Sequence, residues 1–323
     1  MKHNIKIATI LLLMFVVTQL IGLYVISSDP FNLKTNVEGV EVSTPNPILS
    51  WIRPPEVQEE SDFSFYFGSI VSSFIFAVFL FFLLTRFKID SIIKIWVFLV
   101  VIIALSVSLI AIFPKYIFLE IGLIITSVIL AFIKIFKGNI IIHNLTELFI
   151  YPGIAAMLVP ILNLWSIILL LILISIYDMW AVWHAGIMQK MAKYQIDKLK
   201  IFSGFLVPHI SKKERLRIKK LKANKKKKGI KTQIAILGGG DVTFPLITAG
   251  VILKTQLISL PFGLFPNFTF VGGIIPALFV IAGATIGLGL LIKYSEKKKS
   301  YPAMPFISAG IFVSLVIYSL IFN

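Results

Sequence analysis

Several stretches of this chain approach or exceed about 18 consecutive, almost wholly apolar residues, the length an α-helix needs to cross a hydrocarbon core about 30 Å thick. No other feature narrows the possible folds as much. Lipid offers no partner for an exposed backbone N–H or C=O, so each such stretch must satisfy its own peptide groups, and the α-helix does so within one segment. Composition agrees: 14% of the residues are charged, against about 25% in a soluble domain. The expected fold is an all-α polytopic membrane protein.

Nine spans are predicted, at about 5–26, 65–85, 95–113, 116–136, 146–162, 164–186, 233–253, 267–292 and 302–322. Lys2, His3 and Lys6 precede the first. Its apolar run is longer than the roughly 7–15 residues of a signal-peptide core, so it reads as a membrane helix. Span five is short and broken by Pro152 and Pro160. The chain divides into residues 1–186, six spans with an acidic outside loop at 27–64; residues 187–232, a basic inside loop; and residues 233–323, three further spans. All belong to one membrane domain. The 27–64 loop reads as a cap or tether, too short for a domain of its own.

Charge tests this count independently. The net charge is +16, and sixteen basic residues lie between Lys190 and Lys231, including the run Lys225–Lys228. A basic loop of this kind sets topology and touches anionic lipid headgroups, so nucleic-acid binding is not expected. With the N-terminus inside and nine crossings, only Lys34, Arg53, Lys115 and Lys254 fall outside. The positive-inside rule therefore predicts a cytoplasmic N-terminus and an extracytoplasmic C-terminus.

Some chemistries drop out early. Cysteine is absent, which removes disulfides, thiol nucleophiles and cysteine metal sites. The four histidines form no metal-ligand spacing, and no phosphate- or dinucleotide-binding loop is present. No metal or cofactor is expected.

Carboxylates deep in apolar spans cost at least about 2.5–3.5 kcal/mol each on insertion scales. Asp178, in the segment ILISIYDMWAVWH, and Asp241, in IAILGGGDVTFPLI, are the two aspartates so placed. Neither has a basic residue within a helical turn. Spans six and seven run antiparallel, so the two acids can reach a similar depth. Facing carboxylates cannot both ionise; they share a proton and titrate as a unit. Such a pair can hydrolyse an amide, one member taking a proton from water while the other polarises the carbonyl.

The surroundings of Asp241 fit this use. Gly238, Gly239 and Gly240 weaken the helix before the acid and admit another backbone or a substrate strand. Pro245 cannot donate to the Asp241 carbonyl, so the ladder is loosened after it too. Irregular backbone at this depth belongs where protein or a water-filled cavity surrounds it. Glu120 and Glu147 also fall within or near spans, with no catalytic role expected of them.

Tyr177-Asp178, Gly238-Gly239-Gly240-Asp241 and a proline-rich start to the last span together resemble the YD, GxGD and PAL signatures of the presenilin and signal peptide peptidase family. Ala181 and Val182 extend the likeness. The order and the nine-span layout match across nearly the whole chain. The literal triplet Pro276-Ala277-Leu278 lies inside span eight and reads as a mid-helix kink. Pro302-Ala303-Met304-Pro305, directly after the basic run Lys297–Lys299, holds the family's position, with methionine in place of leucine.

The resemblance implies an intramembrane aspartyl protease with catalytic Asp178 and Asp241. It implies active-site support from Tyr177, Gly238, Gly239, Gly240, Pro302, Ala303, Met304 and Pro305, transmembrane-helix proteins as substrates, and no metal. The compact, cysteine-free chain is closest in character to archaeal and bacterial homologues, which implies work in the bilayer without obligatory partner subunits. Two other readings stay open. Intramembrane carboxylates beside broken helices also build ion or proton transporters and leak channels. A prepilin-type peptidase also uses a GxGD aspartate, but with a lysine where Thr243 stands here.

Overall fold

The structure, a computed structural model, describes residues 5–37, 40–57, 59–87, 90–185, 201–209, 233–255, 258–259, 269–270, 272–295 and 301–322. Most of the basic 187–232 loop and Lys297–Lys299 therefore lie outside the described residues. Among those described there are nine α-helices. They are α1 (Ile5–Ser27), α2 (Glu60–Arg86), α3 (Asp90–Ile112), α4 (Ile117–Phe132), α5 (Ile140–Leu158), α6 (Leu164–Trp180), α7 (Gly239–Lys254), α8 (Ile274–Tyr294) and α9 (Met304–Phe322). Eight of the nine are long and apolar enough to cross a membrane.

The exception, α7, has 16 residues and is the hub; α4 and α6, about as short by themselves, reach spanning length by running on into the turns Ile133–Lys137 and Ala181–Ala185. The hub helix α7 packs against α1, α5, α6, α8 and α9. Its core face is Val242, Leu246, Ile247, Ala249, Val251 and Ile252, all buried. A helix wrapped in protein on every side needs no lipid-matched length. By contrast α2 lies at the periphery, with Phe65, Phe74, Ile75, Phe76 and Phe79 exposed; such residues face hydrocarbon at no cost in a bilayer.

The start of span seven departs from expectation. Residues 233–238 are not helical: they form strand β4 (Gln233–Gly238), antiparallel to β3 (Gly204–His209) with Gly204 opposite Gly238. The apolar run is too short for periodicity to separate strand from helix, and three glycines, each poor in a helix interior, delay the helix to Gly239. Span eight also starts later than expected. Ile258–Ser259 pairs with Thr269–Phe270, and α8 begins at Ile274. Span five, in turn, is less broken than expected: α5 continues through Pro152 and yields only to a 3-10 turn, Val159–Ile161, which contains Pro160.

Pro276 makes no mid-helix kink. It occupies the first turn of α8, where a missing N–H removes nothing the helix needs. Further along, α8 and α9 cross closely. A Cβ on Gly283 would sit 2.3 Å from the Gly310 carbonyl oxygen, and one on Gly310 2.2 Å from that of Gly283. Small residues here let the backbones touch, which is how helices associate in lipid.

At the end of the bundle where α1 terminates, the loop forms a hairpin of β1 (Asn32–Val37) and β2 (Val40–Pro45). Buried Asn46 follows it and donates to Glu120 Oε1 of α4 at 3.1 Å. Lys115 Nζ caps α1 by donating to the carbonyls of Ser28 and Asp29 at 3.3 and 2.9 Å. The loop is thus tied down, and Glu120 is spent on holding it.

Candidate active site at the meeting of α6, α7 and α9

Asp178 lies in the last turn of α6 and is 6% exposed. Directly after Trp180 the helix widens into a π turn, Ala181–Ala185, a distortion often found at functional sites. A carboxylate near a helix C-terminus meets an unfavourable dipole. The start of α9 compensates. The Met304 N–H donates to Asp178 Oδ2 at 3.0 Å, and the Ala303 N–H also reaches the carboxylate. One turn back, the hydroxyls of Ser175 and Ser308 meet at 3.0 Å, stitching α6 to α9. Tyr177 lies edge-on to Phe74 of α2, ring centroids 5.8 Å apart.

Asp241 is in the first turn of α7, not in mid-span as expected. Its carboxylate turns back over the start of its own helix, so that a Cβ on Gly238 would lie 3.0 Å from Oδ2. Gly239 N–H donates to the Ser203 carbonyl at 3.3 Å. From α1, Gln19 Nε2 donates to the Val242 carbonyl at 2.9 Å. Helices α6 and α7 pack together, and the two acids are near enough for the charge of Asp178 to act at Asp241.

The three glycines do different work. A Cβ on Gly239 would lie 2.5 Å from Ser203 Oγ and 2.9 Å from Tyr151 Oη, so no side chain fits. On Gly238 it would meet only the Asp241 carboxylate, at 3.0 Å. On Gly240 it would meet nothing nearer than Phe244 at 3.6 Å. The crowding in this motif is therefore concentrated at Gly239, and it comes from the side chains of Ser203 and Tyr151 rather than from another backbone.

Of the two proline motifs, Pro302–Pro305 lies at the site, with Met304 on Asp178. Pro302 and Met304 are buried, while Ala303 and Pro305 keep partial exposure. Pro276-Ala277-Leu278 is at the other end of α7. Gly273, just before α8, donates to the Ile252 carbonyl, about 16 Å along the helix axis from Asp241 at 1.5 Å per residue.

One cluster beside the site was missed by the sequence reading. Lys134, which the charge pattern places among the inside basic residues, is 6% exposed and pairs with Glu147 at 2.6 Å. Its Nζ is 3.2 Å from His143 Nδ1. The pattern His143-x-x-x-Glu147 on one helix face was the available signal, but Lys134 belongs to the preceding element and only the fold brings it in.

Among the described residues, no group of three or more His, Asp or Glu side chains could hold a metal. Eight helices long and apolar enough to cross a membrane, packed around a ninth, define a multi-pass membrane protein. Residues 49–323 match the family described as signal-peptide peptidase, presenilin aspartyl protease, and the chain belongs to that family. Its fold is similar to two crystal forms of a presenilin family intramembrane aspartate protease. For the C222 form the TM-score is 0.58 and the identity 14%, covering 97% of this chain and 99% of that one. For the P2 form the values are 0.55 and 14%, with 96% of each chain covered. No curated protein matches the sequence.

Proposed function

We propose that this protein is an intramembrane aspartyl protease that hydrolyses peptide bonds of transmembrane helices, with Asp178 and Asp241 as the catalytic pair. The observation that carries the proposal is their arrangement. The acids sit on packed neighbours, α6 and α7; the Met304 N–H at the start of α9 donates to Asp178 Oδ2 at 3.0 Å, and the Asp241 carboxylate folds back over Gly238 at the start of its own helix. Positions fixed by main chain need no reorganisation as charge develops.

In the working state the pair carries one proton. The ionised acid takes a proton from water as its oxygen attacks the scissile carbonyl carbon. The protonated acid donates to the carbonyl oxygen, giving a tetrahedral diol. Transfer of a proton to the amide nitrogen then breaks the C–N bond and releases acid and amine. Because both protonation states are required, the rate rises and then falls with pH, and the two limits belong to the pair rather than to either residue.

A helix shields its own amides, so the substrate must be extended where it is cut. The β3–β4 hairpin supports a place for this. On β3, Gly204 and Leu206 turn their peptide groups toward α5, where Asn144 exchanges two hydrogen bonds with Leu206, at 2.8 and 2.9 Å. By strand alternation, Ile234 and Ile236 of β4 turn theirs to the opposite edge, which has no strand partner among the described residues. A substrate segment paired there runs toward Asp241.

The test is cleavage of a transmembrane reporter peptide by purified protein in detergent or liposomes, without added partner subunits. Asp178→Asn and Asp241→Asn, which keep size and hydrogen-bonding capacity, each abolish cutting. Persistent cutting by either variant, or Asp-dependent ion flux with no cleavage at all, refutes the assignment.

A further inference from the structure

We propose that α5, with its charge balanced by Lys134, clamps the outer edge of β3 and so sets the position of Asp241, making Glu147 a positioning residue for the catalytic pair. This rests on the reading of Asp241 as catalytic.

Three consecutive contacts from one helix face make up the clamp. Glu147 Oε1 is 3.4 Å from the Gly204 N–H. His143 Nε2 is 2.8 Å from the Gly204 carbonyl oxygen. Asn144 holds both peptide groups of Leu206. Gly204 is thereby gripped on both sides of its Cα, in a conformation (φ +142°) that favours glycine. It stands directly opposite Gly238, where a Cβ would lie 3.0 Å from Asp241 Oδ2. Next to Gly204, the Ser203 carbonyl takes the Gly239 N–H. Two short paths therefore lead from Glu147 to the first turn of α7.

The cluster is expensive, which is why it reads as more than packing. Lys134 and Glu147 are 6% and 1% exposed. A buried ion pair is often no more stabilising than apolar residues of the same volume. Glu147 Oε2 has no hydrogen-bond partner, and Tyr151 Oη lies beside Glu147 and Ser203 without meeting hydrogen-bond geometry with either. That hydroxyl, together with Ser203 Oγ, leaves no room for a side chain at Gly239. A cavity of about 220 Å³ between α3 and α5, lined by Lys134, Glu147 and Ser203, opens beside the pair. Tight apolar packing has been forgone here in favour of fixed directions.

The experiment compares Glu147→Gln, the double variant Lys134→Met/Glu147→Leu and Asn144→Ala with the wild type. The readouts are kcat and KM on the reporter peptide, thermal unfolding, and amide hydrogen exchange over residues 203–206 and 238–241. The clamp predicts faster exchange at 238–241 in all three, and kcat down about tenfold to a hundredfold with KM within about twofold, the scale of loss from a displaced catalytic group. It also predicts that the double variant, which removes both buried charges, regains thermal stability but not kcat. Stability and kcat recovering together would make the pair merely structural and overturn the proposal, as would unchanged exchange at 238–241. If Glu147→Gln does not fold, the double variant and Asn144→Ala carry the same comparison. Should Asp241→Asn still cut, the catalytic reading fails, while exchange at 238–241 continues to decide the clamp.

Discussion

Gly239 shows how finely single residues are placed around the acids. Gly240 has room for a methyl group and Gly238 would press one against Asp241 Oδ2 at 3.0 Å, but Gly239 faces Ser203 Oγ at 2.5 Å and Tyr151 Oη at 2.9 Å. Tyr151 is fully buried and packs edge-on against Phe205, so it cannot swing away. Gly239→Ala is expected to cost about 1–3 kcal/mol, the usual penalty of overpacking, and to lower cleavage because the turn carrying Asp241 must move. Gly240→Ala, whose new methyl would meet nothing within 3.5 Å, is expected to leave stability within about 0.5 kcal/mol of wild type. Thermal or denaturant unfolding in detergent distinguishes the two. Equal losses would mean that the glycines act by flexibility rather than by space.

Among the elements, the α8–α9 pair governs the third side of the site. The N–H groups on Asp178 come from the start of α9, and α9 is held by its close crossing with α8 at Gly283 and Gly310. Forcing these helices apart pulls Met304 from Asp178 without touching either acid. Gly283→Leu is therefore expected to reduce cleavage at least about tenfold, the order of effect from misplacing catalytic groups, while Asp178 and Asp241 remain in place in the sequence. Measuring kcat together with the affinity of a transition-state-mimicking hydroxyl inhibitor checks this, since both should fall. The same pair also separates the two proline motifs. Pro276 opens α8 at the end far from Asp241, whereas Pro302–Pro305 opens α9 beside Asp178.

For the whole molecule, the absence of cysteine offers a direct test of orientation. Single cysteines introduced at Lys226 and Lys298 should react with a membrane-impermeant thiol reagent only from the cytoplasmic face, and those at Glu41 and Asn323 only from the opposite face. Labelling of Lys226 and Asn323 from one side would contradict the odd number of crossings. The exposed face of α2 and the buried face of α7 also define a radial order, with the short helix innermost. That order surrounds the non-helical backbone before Asp241 with protein rather than lipid, the setting in which such backbone is tolerated.

The amino-acid order alone carried the number of helices, their rough limits and the two aspartates. The reason is that lipid enforces a one-dimensional code: a span needs about 20 apolar residues, and an acid inside one is conspicuous for its cost. Choosing Pro302–Pro305 over the literal Pro276-Ala277-Leu278 was likewise possible from position in the chain. Strand β4 was not legible, since a short apolar run before three glycines is compatible with either strand or helix, and its partner β3 lies beyond a long basic loop. Nor was the Lys134–His143–Glu147 cluster, because a charge near a span end looks the same whether it faces water or a buried partner. Burial, pairing and the crowding at Gly239 are properties of contacts between elements distant in sequence, and only the tertiary structure decided them.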